Sequence, residues 1–401
     1  MTEESYNRAA LFLYLAAVAL LPWNSFPPFP WLHAAAQWSD PLVAAAALAW
    51  VLGERRRLRS LRPSLAEILL ALYVAAAVAS YALAPPGWGS SLSDLGVVVE
   101  LAVLAFLTAR LASSAAAFRL LVRVVTATSL LAAATAAVGL LLFYVGVETS
   151  LVGGYGALVS SSDYARVRAG LPHPALLGSY CIFASAVVAQ GQGAISARLR
   201  RATQVALGLT VLFTFSRAIL GFGLAALIRM ARTPALRAAA TGATVLSIAL
   251  MAMLTFTKVS VDPSHPAKTR VSTATEPVRS QELRASVDTL GEHPVVGTGP
   301  GSLPGEAVGY GRRQAHNTPV GVAATLGLPA LAVLVSLLVA LWCGRSRPTN
   351  RATWGGLVGL GLDGLGQDIE HFRHVWVMLG VAGAQQRSRI GSARRPNKED
   401  P

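Results

Sequence analysis

The sequence predicts an all-α, polytopic integral membrane protein with about twelve transmembrane helices and one long extracytoplasmic loop containing short helices. Three observations predict it. Apolar residues make up 53% of the 401-residue chain and charged residues 13%, against about 25% charged in soluble domains. The apolar residues gather into runs close to the roughly 20 residues that cross a bilayer. The basic residues behind the net charge of +14 fall between those runs. That placement fits membrane orientation and points away from a nucleic-acid partner.

Candidate spans lie near 8–25, 40–53, 64–84, 94–112, 119–146, 173–190, 199–215, 217–229, 235–257, 318–343, 352–365 and 373–385. The first begins with the acidic "MTEESYNRAALFLYL" and reads as a retained span rather than a cleaved signal. With a cytoplasmic N-terminus, the inward connections hold "ERRRLRSLR", "RLRR", Arg229–Arg237, Arg345–Arg351 and the tail "RSRIGSARRPNK". The outward connections "PWNSFPPFPWLHAAAQWSD" and "APPGWGSSLSDLG" hold no lysine or arginine. This alternation is a positive-inside pattern and puts both termini in the cytoplasm.

The same rule divides residues 203–228. A single helix there would centre Arg217 in the membrane, at roughly 2.5–3.5 kcal/mol on insertion scales. It would also reverse every later basic connection. A break at Ser216–Arg217 avoids both and places Arg217 at the outer face. The organisation is then 1–257 for spans one to nine, 258–317 for the periplasmic loop, 318–385 for spans ten to twelve and 386–401 for a basic cytoplasmic tail.

Within the loop, "VRSQELRASVDTLGEHP" reads as an amphipathic helix. Leu283, Val287 and Leu290 form its apolar stripe, Arg284 pairs with Asp288 at i, i+4, and Pro294 ends it. The glycine-rich "GTGPGSLPGEAVGYG" that follows is loop. All seven histidines fall in or beside outward segments.

Familiar soluble-enzyme motifs are missing. "GTGPG" lacks the GK[ST] of a phosphate loop, and the sequence has no HExxH and no CxxC. Cys181 and Cys343 sit in apolar segments and read as buried thiols. The first outer loop has no paired acidic motif, so neither a metal nor a cofactor is expected.

Chemistry-bearing residues remain in four outward clusters: Arg166, Arg168 and His173 ahead of the sixth span; Ser216 and Arg217 at the break; Arg284 ahead of "HPVVGTGPG"; and Arg312, Arg313, His316 and Asn317 with "GLDGLGQDIEHFRHVW", which carries Arg373. Each also has a plain structural reading. Arg166 and Arg168 would snorkel to headgroups. Arg284 would only pair with Asp288, and His316 would be an interfacial histidine. An arginine within the membrane, by contrast, is a functional hypothesis by default.

The segments "RAGLPHPALLGSY", "TFSRAILGFG", "LRASVDTLGEHPVVGTGPGSL", "AHNTPVGVAATLGLPAL" and "DIEHFRHVWVMLGVA" together resemble the O-antigen ligase superfamily of ligases, polymerases and protein O-glycosyltransferases. The resemblance runs in family order across roughly 160–385, and the first 150 residues match only as generic spans. It implies metal-independent, inverting glycosyl transfer at the periplasmic face of a bacterial inner membrane. The donor would be a glycan on undecaprenyl diphosphate, and the acceptor lipid A–core or another glycan or protein hydroxyl. By motif, Arg217 and Arg284 would grip the diphosphate, His316 would face the acceptor hydroxyl, and the other outward residues would bind substrate. Ala175 departs from the family's usual asparagine after His-Pro.

The chemistry agrees with that assignment. Arginine's planar fork suits a departing diphosphate. A sugar hydroxyl gains about 10²–10⁴-fold from a base, and an imidazole accepts its proton at neutral pH. The alternative from another class is an anion transporter. The lack of an internal repeat and the outward gathering of charge argue against it.

Overall fold

The computed structural model describes residues 2–23, 37–57, 60–84, 90–147, 149–152, 166–230, 276–302, 315–343 and 351–393. The expected span at 235–257, His33, His265, Arg312 and Arg313 lie outside them. The described residues form helices and no strand ladder; one isolated bridge joins Val152 and Val167.

The helices are α1 Glu3–Leu20, α2 Asp40–Glu54, α3 Leu65–Leu83, α4 Leu92–Leu111, α5 Ala115–Tyr144, α6 Pro174–Ala189, α7 Ala197–Phe213, α8 Ala218–Met230, α9 Glu276–Glu292, α10 Thr318–Cys343, α11 Arg351–Gly364 and α12 Arg373–Ala393. Serines start many of them. Ser64 and Glu67 form a reciprocal capping box on α3, and Ser91, Ser114 and Ser196 accept backbone N–H groups at α4, α5 and α7. Such caps let a helix begin sharply at the end of a polar connection.

Five helices are long and apolar enough to cross a membrane: α1 with its short extension to Trp23, α3, α4, α5 and α10. α6 and α8 are apolar but shorter. Among the described residues, the expected spans fall on helices of unequal length. The outer surfaces agree with a lipid setting, since Leu65, Leu72, Leu131, Leu141, Val335 and Val339 are exposed although large and apolar. In water such continuous apolar faces would be an association liability.

Packing pairs α1 with α2, α3 with α10, α4 with α12 and α8 with α11, while α6 stands centrally among α5, α7, α8 and α11. Nearly every residue of α6 is buried, with Leu177, Tyr180, Ile182 and Phe183 the bulk of its core. Small residues set the closest pair. A Cβ on Gly221 would strike the Gly359 carbonyl, and one on Gly359 would strike the Gly221 carbonyl. In lipid, where apolar burial alone gives little drive between helices, such close backbone approach supplies the association.

Two ion clusters lock the bundle. Glu67 of α3 accepts from Arg110 of α4 and Arg387 of α12. Arg373, at the start of α12, lies 2.7 Å from Asp40 of α2 and 2.9 Å from Glu100 of α4.

The expected break is present. α7 ends at Phe213, α8 begins at Ala218, and Phe215 between them has φ 45°. A second break lies inside α10 at Gly327 (φ 86°, ψ 165°), just before Pro329. Proline has no N–H to donate and its ring displaces the preceding turn, so carbonyls are released. The glycine-rich loop supplies the replacement donors. Thr298 N–H reaches the Ala324 carbonyl at 3.1 Å and Gly299 N–H the Thr325 carbonyl at 2.8 Å, while Leu328 N–H donates to the Pro294 carbonyl at 2.9 Å. Ser80 of α3 adds a 2.9 Å bond to the Thr325 carbonyl. "GTGPG" is thus a kink-capping loop, and it fixes α9 against α10.

Candidate active site at one end of the bundle

Two groups of residues form at one end of the bundle. The first surrounds the α7–α8 break. Val167 N–H donates to the Phe213 carbonyl at 3.0 Å, and Arg166 Nε to the Thr214 carbonyl at 3.2 Å. Arg168 holds the carbonyls of Ser150 and Pro172. His173 is the N-cap of α6, its Nδ1 accepting from Ala175 N–H at 3.1 Å. Arg166, Arg168 and His173 therefore build the turn itself, and Ala175 contributes through its backbone. Ser216 is buried against Gly178 and bonded to Thr214 at 2.8 Å. The adjoining Arg217 is half-buried, in the turn immediately before α8.

The second group surrounds the start of α10. Asn317 caps that helix, accepting from Val320 N–H at 3.1 Å, and donates from Nδ2 to the Leu365 carbonyl at 3.0 Å. Thr318 accepts from Ile369 N–H at 2.9 Å and donates to the Gln367 carbonyl at 2.9 Å. The α11–α12 turn is thus stitched to the mouth of α10. A 2.9 Å bond between His374 and Ser179 joins the start of α12 to the start of α6, so both groups occupy the same end.

His316 precedes this cap with φ 47°, a left-handed conformation uncommon for a non-glycine residue. Its side chain is 42% exposed, and its Nε2 lies 3.6 Å from Oε2 of Glu282, whose side chain is 1% exposed. Glu282 is absent from the candidates that the sequence offers.

The helix that carries Glu282 differs from expectation in its facing. α9 buries Glu282, Leu283, Ser286 and Thr289, while Val287 is exposed. The inward face is largely polar because Ser286 and Thr289 return their hydroxyls to the Glu282 and Ala285 carbonyls, at 2.8 Å and 2.7 Å. Arg284 and Asp288 are both exposed, and the i, i+4 pairing expected of them is not among the described ion pairs. Arg284 lies on the opposite face of α9 from the buried Glu282, Leu283 and Ser286.

Arg373 lies apart from these openings. It is 4% exposed, and Asp40 and Glu100 hold its guanidinium.

One more group of titratable residues sits on the α11–α12 turn. Ligand atoms of Asp368, Glu370 and His371 lie within 4.8 Å of one another, and a Cβ on Gly321 in the first turns of α10 would touch both carboxylates. Burial first, then the Asp368 charge, hold the Glu370 carboxyl well above its ordinary range. Burial also raises Asp368, against the opposing pull of His371. Two carboxyls this close disfavour each other's ionised form, and the same donors have the spacing for a cation.

Fold and site define the class first: a polytopic helical membrane protein with a polar, partly open site at one end. Residues 202–335 match the family model described as O-antigen ligase. Over those residues the chain is similar to the O-antigen ligase family. It covers Arg217, Arg284, His316 and Asn317, and leaves Arg166, Arg168, His173 and Arg373 outside. Comparison with curated proteins finds no match.

Proposed function

We propose that the chain transfers a glycan from undecaprenyl diphosphate to a hydroxyl of lipid A–core, as a metal-independent, inverting glycosyltransferase at the periplasmic face of the inner membrane. The observation that carries this reading is the coincidence of the O-antigen ligase match with a half-exposed imidazole set against a buried glutamate.

The reaction follows from those groups. His316 accepts the proton of the acceptor hydroxyl as its oxygen bonds to the anomeric carbon. The carbon–oxygen bond to the diphosphate breaks on the opposite side, which inverts the centre. Undecaprenyl diphosphate leaves with the bonding pair, and Arg217 and Arg284 offset its charge. Arg312 and Arg313 add positive charge beside His316 in sequence. Arg166, Arg168, His173 and Asn317 hold the backbone that presents these groups.

The test is transfer by purified protein in liposomes, from an undecaprenyl-diphosphate glycan, with lipid A–core offered as acceptor. Transfer to lipid A–core that Arg217→Ala and His316→Ala abolish in folded protein supports the reading. Arg284→Ala decides whether the exposed face of α9 meets the donor. Extension of the lipid-linked glycan instead would make the protein a polymerase, and no reaction with any acceptor would overturn enzymatic transfer.

A further inference from the structure

We propose that Glu282 is the positioning residue of a glutamate–histidine dyad that orients the His316 imidazole and stabilises its protonated form. The inference rests on the glycosyl-transfer reading above and adds a residue to it.

Three observations carry it. Nε2 of His316 is 3.6 Å from Oε2 of Glu282, close enough for charge pairing and one small movement from a hydrogen bond. Glu282 is 1% exposed, although glutamate is almost never fully buried unless it is paired. The two residues also come from segments held rigidly towards each other. α9 is anchored through Pro294–Gly299 into the α10 kink, and Asn317, the residue after His316, is fixed by its side-chain bonds to Val320 N–H and the Leu365 carbonyl. His316 keeps a left-handed backbone (φ 47°) between these anchors, and such strain persists only where the surroundings over-determine it.

The consequence for the reaction is specific. With Nε2–H directed to Glu282, the proton-accepting lone pair belongs to Nδ1. As the acceptor hydroxyl gives up its proton, the imidazole becomes positive beside a carboxylate already in place, as in a hydrolase triad. The other titratable groups on the described neighbouring elements include Arg284, Asp288 and Glu292 of α9, His293 just after it, and Asp368, Glu370 and His371 of the α11–α12 turn. The group at measured pairing distance from the His316 ring is Glu282, at 3.6 Å.

The experiment uses the full chain in lipid nanodiscs, with Glu282→Gln, Glu282→Asp and His316→Gln compared with the parent. Two quantities are read: transfer rate against pH, and the protonation midpoint of the His316 ring by nitrogen-15 histidine NMR, assigned with His316→Gln. The expected result for Glu282→Gln is a kcat lower by no more than the roughly 10²–10⁴-fold that the base itself supplies, with the donor KM unchanged. Removing the carboxylate should also move the ring midpoint and the acidic limb of the rate profile together to lower pH. Glu282→Asp should restore the midpoint in part, and it carries the test if the glutamine variant does not fold.

A ring midpoint unmoved in both variants overturns the dyad, whatever the activity. So does a fall in kcat with the pH profile in place, which would mark Glu282 as structural only. The two readings fail separately. A shifted midpoint in a protein that transfers no glycan leaves the dyad and removes the reaction, whereas transfer that needs His316 but not Glu282 does the reverse.

Discussion

Arg373 and His316 stand at the same end of the bundle, and their surroundings differ in kind. Arg373 is buried with Asp40 and Glu100 from two other helices around it, so its charge is spent inside the protein. His316 is 42% exposed, and the carboxylate facing it stands at 3.6 Å. A saturated, buried ion cluster holds helices together, whereas a half-open, loosely paired base can still exchange a proton with a substrate. Charge at this end of the bundle is therefore not itself the signature of the site. What separates the two is whether the protein has already neutralised it.

The sharpest way to break this comparison is to remove the buried cation. Arg373→Ala leaves Asp40 and Glu100 together without their partner and should cost about 3–5 kcal/mol. It should be read as a lower melting midpoint in detergent and a poor yield. Equal loss of transfer with no loss of stability would make Arg373 a substrate group.

The α10 kink comes next. Gly327 has φ 86° and ψ 165°, a region essentially reserved for glycine, so Gly327→Ala should destabilise by about 1–3 kcal/mol. Because α9 is anchored there, protease sensitivity within 276–302 should rise with it. An alanine variant as resistant as the parent would show that the loop does not depend on the break.

A smaller effect is expected from the carboxyl pair on the α11–α12 turn. Asp368 and Glu370 are both raised above their ordinary range. Their contribution to stability is thus fully present below the unfolded carboxylate range, about pH 4, and is lost as pH rises through the raised values. The melting midpoint should fall from acidic towards alkaline pH, and Glu370→Gln should flatten that slope. A slope unchanged in the glutamine variant would place its origin elsewhere.

The smallest effect concerns α9. Val287 is exposed and Leu283 buried, so Val287→Ser should change stability by no more than about 0.5 kcal/mol, while Leu283→Ala should cost several times that. The reverse order would restore the apolar stripe that periodicity alone suggests.

Much of the fold is legible in the sequence because hydropathy and basic connections report the same boundaries. The break at Ser216–Arg217 was readable because an arginine inside a span is costly. The existence of α9 follows from its pattern, but its inward face does not. The stripe of Leu283, Val287 and Leu290 that periodicity suggests leaves out Glu282, Ser286 and Thr289, and the packing of α9 against the α10 kink turns these inward. Glu282 was missed for that reason. The pairing of Arg373 has no local signal either, since Asp40 and Glu100 lie hundreds of residues earlier. The glycine-rich stretch was legible as loop. Its use as a donor to the broken α10 depends on Gly327 and Pro329, which only the folded chain brings opposite it.

The most direct test of the account measures glycan transfer and melting together for His316→Ala and Arg217→Ala. The account predicts that His316→Ala loses about 10²–10⁴-fold in transfer rate with its melting midpoint in place, and that Arg217→Ala loses transfer while staying folded. A folded His316→Ala protein that transfers glycan at the parent rate would contradict the central claim that this imidazole carries the reaction.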